Sequence, residues 1–186
     1  MVTLLLGIGN TLRCDEGVGI HAMRLFEQRV AELDCPPQDL LFIDGGTLSF
    51  TLAHYIEDSD NLIVFDAAEL RSAPGSVALF VGREMDDYLG KVKRSAHEVG
   101  LLDLMDIARL TESLPVNRAL VGIQPHSLDW DMNLSEAASA ALPDAVNAAQ
   151  TCLNQWLYKD ESSAGRTVSE SNRHRSHGKH ESVGYF

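Results

Sequence analysis

Acidic side chains follow three apolar runs of the sequence, and a histidine lies further along the chain. Glu16 comes after the first run, Asp66 ends the third, and His97 follows a fourth. Two carboxylates and an imidazole on one rim of a sheet repel or take up protons unless they share a cation. Oxygen and nitrogen ligands of this kind suit nickel, zinc or manganese. Glu16, Asp66 and His97 are therefore candidate ligands of a transition metal.

The same side chains have a second interpretation that needs no metal. Asp44 and Asp66 occupy positions where a carboxylate at the start of a loop bonds backbone amides. Glu16 stands where a helix dipole favours an acid, and His97 is a candidate cap. Spacing alone places these residues on a rim without fixing their distances, so both interpretations stay open at this point.

Alternating apolar patterns predict the elements that position these residues. Continuous apolar runs at 2–8, 40–43 and 61–67 predict buried strands, and the helical spacing in 16–33 and 48–56 predicts helices between them. Strands that alternate with helices indicate an α/β sandwich. Ligands of such folds collect at the carboxyl ends of the strands, where the loops carrying Glu16, Asp44 and Asp66 meet.

The fourth strand breaks the alternation. The link 69–76 contains Pro74-Gly75 and is too short for a helical crossover, so strand 77–81 should run antiparallel to the third strand. The sheet is therefore predicted to be mixed. His97 follows a strand that ends at the opposite edge, but the intervening roughly 15 residues reach up to about 50 Å and can return it to the rim.

The second half of the chain contains fewer predicted helices and strands and ends in a polar segment. Segment 84–95 is interpreted as polar and irregular, 98–110 as a helix, 119–123 as a fifth strand, and a last helix begins after an N-cap at Ser135. From residue 159 hardly any apolar residue occurs, too few to offset the entropy of ordering. The predicted organisation is one α/β domain at 1–158 and a disordered His- and Ser-rich tail at 159–186.

Composition excludes several classes of partner. The 186 residues carry a formal net charge of -12, which disfavours nucleic acids and anionic membranes as partners. Neither a leader sequence nor a membrane-spanning run is recognisable, so we expect a cytoplasmic protein, with a monomer as the default. The three cysteines, Cys14, Cys35 and Cys152, are far apart and are expected to be free thiols.

A glycine pattern near the N-terminus suggests nucleotide binding as a rival function. Gly7-x-Gly9 follows a buried strand, as in the dinucleotide fingerprint, but Leu12 occupies the place of the third glycine. Asp15 and Glu16 would also put negative charge where a pyrophosphate must bind. We therefore expect no nucleotide cofactor.

Several short motifs occur in a fixed order along residues 2–158. They are Gly7-Ile8-Gly9-Asn10-Thr11-Leu12, Asp15-Glu16-Gly17-Val18-Gly19, Asp44-Gly45-Gly46-Thr47, Asp66, His97 and Gly122-Ile123-Gln124-Pro125. Each motif alone is weak, but together and at this spacing they resemble the hydrogenase maturation endopeptidases. The resemblance implies a three-layer α/β/α domain with a five-stranded, mixed, mostly parallel sheet. It also implies that Glu16, Asp66 and His97 contact the metal.

The resemblance further implies a substrate and a source for the metal. The expected activity is removal of the C-terminal extension of a nickel-iron hydrogenase large-subunit precursor, with the substrate's own nickel as the recognition element. A competing hypothesis is a chaperone that docks on the nickel-loaded large subunit without cutting it.

The mechanism has fewer signals in the sequence. The chain contains no His-Glu-x-x-His motif, and no serine or cysteine stands in an evident nucleophile-base pair. We predict attack by water, with nickel polarising the scissile carbonyl or the water. Asp44, or one of the carboxylates of Glu16 and Asp66, then accepts the proton.

Overall fold

Five strands form one mixed sheet in the order β2-β1-β3-β5-β4. The computed structural model describes residues 1–91 and 100–167, with side chains as far as Leu157. The strands are β1 Thr3–Gly7, β2 Leu40–Asp44, β3 Asn61–Ala67, β4 Val77–Val81 and β5 Asn117–Ile123. β1, β2, β3 and β5 are parallel, which confirms the mixed, mostly parallel sheet. The antiparallel β4 pairs with β5, which lies between it and β3.

Helices cover both faces of this sheet. They are α1 Val18–Ala31, α2 Ala53–Glu57, α3 Arg83–Lys91, α4 Leu101–Leu110 and α5 Glu136–Thr167, and 3-10 turns at Cys14–Gly17 and Phe50–Leu52 precede α1 and α2. Leu4 and Leu6 of β1 belong to the core beneath α2, α3 and α4. On the opposite face, Phe26 of α1 meets Phe65 of β3 edge to face, with ring centroids 6.2 Å apart. The α/β/α order of layers matches the predicted fold class.

Segment 84–95 is the clearest wrong prediction of secondary structure. Its first part belongs to helix α3, Arg83–Lys91, and is not irregular. Met85 is fully buried, and Tyr88 and Leu89 pack partly buried against the same core. This apolar spacing of three and four residues is helical, but the many charged neighbours masked it.

The last helix begins as predicted and extends further than expected. The Oγ of Ser135 accepts a hydrogen bond of 3.2 Å from the backbone N–H of Ala138, which confirms the predicted N-cap. α5 continues to Thr167, past the expected domain boundary at residue 158, and the chain divides into compact units at Met1–Cys152 and Leu153–Phe186. A tail at 159–186 stays a prediction, since residues 168–186 lie outside the described part.

A ladder of polar side chains fixes the strand register at the amino ends of the strands, opposite the predicted site. Asn61 donates to Thr3 at 3.0 Å, and Asn117 donates to Asn61 at 2.8 Å. Because these residues are direct partners in β1, β3 and β5, a one-residue slip would break both bonds.

Two simpler expectations are also answered. All three cysteines are free. No helix among the described residues is both long and apolar enough to cross a membrane.

Candidate active site at the carboxyl edge of the sheet

Backbone hydrogen bonds hold the loops after β1 and β2 together. The N–H of Gly9 donates to the carbonyl of Gly46 at 2.8 Å, and the N–H of Gly45 donates to the carbonyl of Gly7 at 2.9 Å. A third bond of 2.9 Å joins Ile8 to the carbonyl of Phe65 in β3. The loops that carry the predicted acids therefore form one continuous rim.

Two glycines allow the segments carrying Glu16 and Asp66 to approach each other. Gly9 has a φ of +134°, and a Cβ there would lie 1.8 Å from the carbonyl oxygen of Glu16. A Cβ on Gly19 would lie 2.2 Å from the carbonyl oxygen of Phe65, the residue before Asp66. Since both obstacles are backbone atoms, the start of α1 can reach the rim only with glycine at these positions.

Glu16 has a carboxylate oxygen with an unmet capacity to accept hydrogen bonds. Its Oε2 lies 2.8 Å from Nη1 of Arg13, an ion pair between two partly exposed side chains. The geometry of that contact is not that of a hydrogen bond, and this buried oxygen accepts none from any described residue. The charge of this oxygen is paired with Arg13, and its open hydrogen-bonding position is suited to a metal ion that binds beside or in place of the guanidinium.

Asp66 lies near the end of β3, where the charge of Glu16 affects its pKa. The pKa of Asp66 is raised to about 7, mainly by burial; a hydrogen bond from the N–H of Ala67 opposes this rise, and the charge of the Glu16 carboxylate adds to it. The predicted repulsion between these acids is therefore present in the fold. A cation shared by the two groups would relieve it by favouring the ionised form of Asp66.

Asp44 makes the contacts expected of a carboxylate at the start of a loop. Its Oδ1 accepts a hydrogen bond of 3.0 Å from the N–H of Gly46, and its Oδ2 pairs with Arg24 at 2.8 Å. The Asp44 and Arg24 side chains are both largely exposed. The structure thus assigns Asp44 a turn-stabilising role, and its role as a general base stays a prediction.

His97 lies outside the described residues, so the predicted set of three ligands stays a prediction. Within 1–91, 100–167 no group of three His, Cys, Asp or Glu side chains is placed to hold a metal ion. The rim supplies two of the three predicted ligands, Glu16 and Asp66.

Asp15 is the largest feature of the rim that the sequence did not predict. Its side chain is fully buried, and its two oxygens accept hydrogen bonds from the backbone N–H groups of His126, Ser127 and Ser135 and from the Ser135 hydroxyl, at 2.7–3.2 Å. Burial alone would raise the pKa of Asp15, but these bonds outweigh it and hold the pKa below its ordinary value.

This carboxylate ties the loop between β5 and α5 to the turn that carries Glu16. The thiol of Cys14 also donates to Asp15, at 3.5 Å. The pKa of that thiol is raised, mainly by burial and also by the adjacent carboxylate. A buried, protonated thiol is unreactive, which agrees with a sequence in which no cysteine stands in an evident nucleophile-base pair.

Tyr88 is a second missed residue near the rim, because its helix was predicted to be irregular. Burial and the charges of Asp66 and Glu69 raise the pKa of its phenol, which therefore keeps its proton. Its hydroxyl donates to the carbonyl of Glu69 at 3.5 Å. The i, i+3 spacing from Met85 was the signal that identifies this residue.

Comparison with known proteins gives a consistent set of relatives. The family model described as hydrogenase maturation protease matches residues 20–151, a range that includes Asp44, Asp66 and His97 but begins after Glu16. The hydrogenase expression/formation protein HupD of Bradyrhizobium diazoefficiens is 34% identical over 154 residues, covering 82% of this chain and 78% of that protein. The hydrogenase 2 maturation protease of Escherichia coli is 30% identical, covering 83% and 92%.

Solved structures agree with these sequence relatives. The hydrogenase maturating endopeptidase HybD from E. coli superposes with a TM-score of 0.74 at 29% identity, covering 83% of this chain and 93% of that one. The [NiFe] hydrogenase maturation protease HybD from Thermococcus kodakarensis superposes with a TM-score of 0.65 at 29% identity, covering 81% and 98%.

Proposed function

The chain belongs to the hydrogenase maturation protease family, and we propose that it removes the C-terminal extension of a nickel-iron hydrogenase large-subunit precursor after nickel insertion. The observation that carries the nickel part of this proposal is the pair of carboxylates on the rim. Glu16 has an oxygen without a hydrogen bond, and Asp66 has a pKa raised by burial and by Glu16. The Arg13 guanidinium neutralises only the Glu16 member of this pair, so a metal ion would still be favoured by the two acids together.

In this proposal the nickel belongs to the substrate. Open coordination positions of a partly built metal centre accept Glu16, Asp66 and His97, so binding depends on whether the metal has been inserted. The protein then cuts a loaded precursor and leaves an empty one intact. Because the metal is recognised, cleavage occurs only after nickel insertion is complete.

The peptide bond is cut by water. The nickel of the substrate supplies Lewis acidity toward the carbonyl or the water. The chain itself supplies carboxylates at the rim to accept the proton, either Asp44 or a member of the Glu16 and Asp66 pair. Asp44→Asn decides between them: full activity across the pH range assigns the proton to the pair, and a loss of cleavage by a correctly folded variant assigns it to Asp44.

Three variants test the ligand set. Glu16→Gln, Asp66→Asn and His97→Ala each remove one charge or ligand, and each should reduce both nickel-dependent association with the precursor and cleavage. Glu27→Gln is the matched control, because Glu27 is exposed on α1 and undergoes the same chemical change away from the rim. Retention of wild-type cleavage by Glu16→Gln would remove Glu16 from the proposed site.

Cleavage and docking are separated by the mass of the substrate. An unchanged precursor mass in a stable complex would favour the chaperone hypothesis, which uses the same ligands without a chemical step.

A further inference from the structure

An apolar run lies exposed beside the rim, within the loop between β5 and α5. In this run, residues 128–132, three apolar side chains alternate with two acids. The exposed fractions are 44% for Leu128, 78% for Trp130 and 72% for Met132. Single exposed apolar residues are ordinary on protein surfaces, but three in five consecutive positions form a patch that indicates binding. We call this run the apolar arm.

The apolar arm is held in place by the turn that carries Glu16. The N–H of Cys14 donates to the carbonyl of Asp131 at 2.7 Å, and Arg13 and Asp131 form a β-bridge. The residue before each bridge partner is a large apolar one, Leu12 or Trp130, and Leu12 is 51% exposed. The exposed apolar surface therefore includes both segments.

One side chain links the arm to the proposed metal-binding acids. Nη2 of Arg13 donates to the carbonyl of Leu128 at 2.9 Å, while its Nη1 lies 2.8 Å from Oε2 of Glu16. The buried Asp15 carboxylate fixes the residues on both sides of the arm, as described above. A surface held in its binding geometry loses little conformational entropy when a partner docks.

The charge pattern of the arm favours one kind of partner. Asp129 and Asp131 flank Trp130, and both are exposed. Their bonds are made within the loop, to Ser127 and Asn133, and leave the carboxylates without a cationic partner among the described residues. The surface therefore complements a segment that carries both apolar and basic side chains.

From this placement we infer that the apolar arm, with Leu12, is the docking surface for an apolar and basic segment of the large-subunit precursor next to the nickel site. This inference rests on the proposed function and adds a specificity surface to it. The arm is continuous with Glu16 through Arg13, so a segment seated on it lies beside the residues proposed to meet the metal. Trp130 is the central anchor, because exposed aromatic side chains dominate the affinity of such contacts.

The test measures cleavage of the nickel-loaded precursor by Trp130→Ala and Met132→Ala. Trp130→Ala should raise KM by about tenfold or more, as expected for loss of an anchor, with kcat within about twofold of wild type. Asp129→Asn combined with Asp131→Asn should raise KM less, and the difference from wild type should fade at high salt. Leu110→Ala and Val116→Ala are the controls, because these residues are 85% and 84% exposed at the opposite end of the sheet.

A binding measurement keeps this test independent of cleavage. The nickel-free precursor lacks the metal contacts and is not cut by the proposed enzyme, so biolayer interferometry with it gives, for each variant, the weaker Kd that the arm alone supplies. A weaker Kd for Trp130→Ala, with unchanged controls, supports the arm even if the wild-type protein fails to cut any precursor, a result that would refute the proposed function alone. Equal KM and equal Kd for Trp130→Ala and wild type would overturn the arm while leaving cleavage intact.

Self-association is the other outcome that would overturn the inference. Sedimentation velocity of wild type and Trp130→Ala decides it. A wild-type dimer that Trp130→Ala converts to monomer, with unaltered precursor binding, would make the patch an interface between two copies of this chain.

Discussion

Replacement of Asp15 by asparagine tests whether a buried carboxylate assembles the rim. Asparagine has the same shape, but one of its oxygens becomes an NH₂ group facing N–H donors. If the NH₂ takes the place of Oδ1, the N–H of Ser135 loses its acceptor; if it takes the place of Oδ2, the N–H groups of His126 and Ser127 lose theirs. The first orientation is the less costly, because only one N–H is orphaned, together with the weakly donating thiol of Cys14.

The magnitude follows from those contacts. One orphaned, buried N–H costs about 1–3 kcal/mol, and the remaining bonds weaken because their acceptor is no longer charged. Removing a buried charge offsets part of this loss. We therefore expect Asp15→Asn to lower the free energy of unfolding by about 2 kcal/mol.

Urea unfolding followed by circular dichroism measures this change, with Asp34→Asn as the control because Asp34 is exposed. The control should stay within about 0.5 kcal/mol of wild type. Because the folded-state pKa of Asp15 lies below its ordinary value, its contribution is complete above pH of about 4 and is lost as the pH falls through the folded-state pKa. An Asp15→Asn protein as stable as wild type at pH 7 would refute the reasoning.

Three further predictions concern the rim and the tail. Gly19→Ala should destabilise the protein by more than about 2 kcal/mol, since the new Cβ would clash with backbone atoms. Gly90→Ala, in open space on α3, should stabilise it by about 0.5–1 kcal/mol, and thermal and urea unfolding compare the two variants. Glu16→Gln should lower the pKa of Asp66 from about 7 in metal-free protein, because the charge of Glu16 helps to raise it. Carboxyl ¹³C NMR titration measures this pKa, and an unchanged value would disprove the coupling. Removal of residues 159–186, which include His174, His177 and His180, should leave the cleavage rate unchanged, and a loss of rate would assign the tail a role.

Local pattern was sufficient to predict the sheet, because every strand contains an uninterrupted apolar run. The seven residues of β3 and the five of β4 match the predicted bounds, and the antiparallel direction of β4 followed from the short link that contains Pro74. The helix α3 was missed since charged residues surround its three apolar ones. A tally of apolar residues fails there, although the spacing alone is helical.

Only the site residues that end or follow a strand could be predicted from the sequence. Glu16 and Asp66 lie on the predicted rim because strand ends define it. Asp15 was missed because its partners, His126, Ser127 and Ser135, are 111–120 residues away, and no local pattern marks a contact of that separation. Family resemblance identified the motif around Asp15 but not the bonds that this residue makes.

The central claim is a peptidase whose cleavage depends on nickel in its substrate. The most direct test is the intact mass of the large-subunit precursor after incubation with this protein, with and without prior nickel loading. We expect loss of one defined C-terminal peptide from the loaded precursor and no change in the unloaded one. Equal cleavage of both forms would contradict the nickel dependence, and an unchanged mass of the loaded precursor in a stable complex would contradict the peptidase itself.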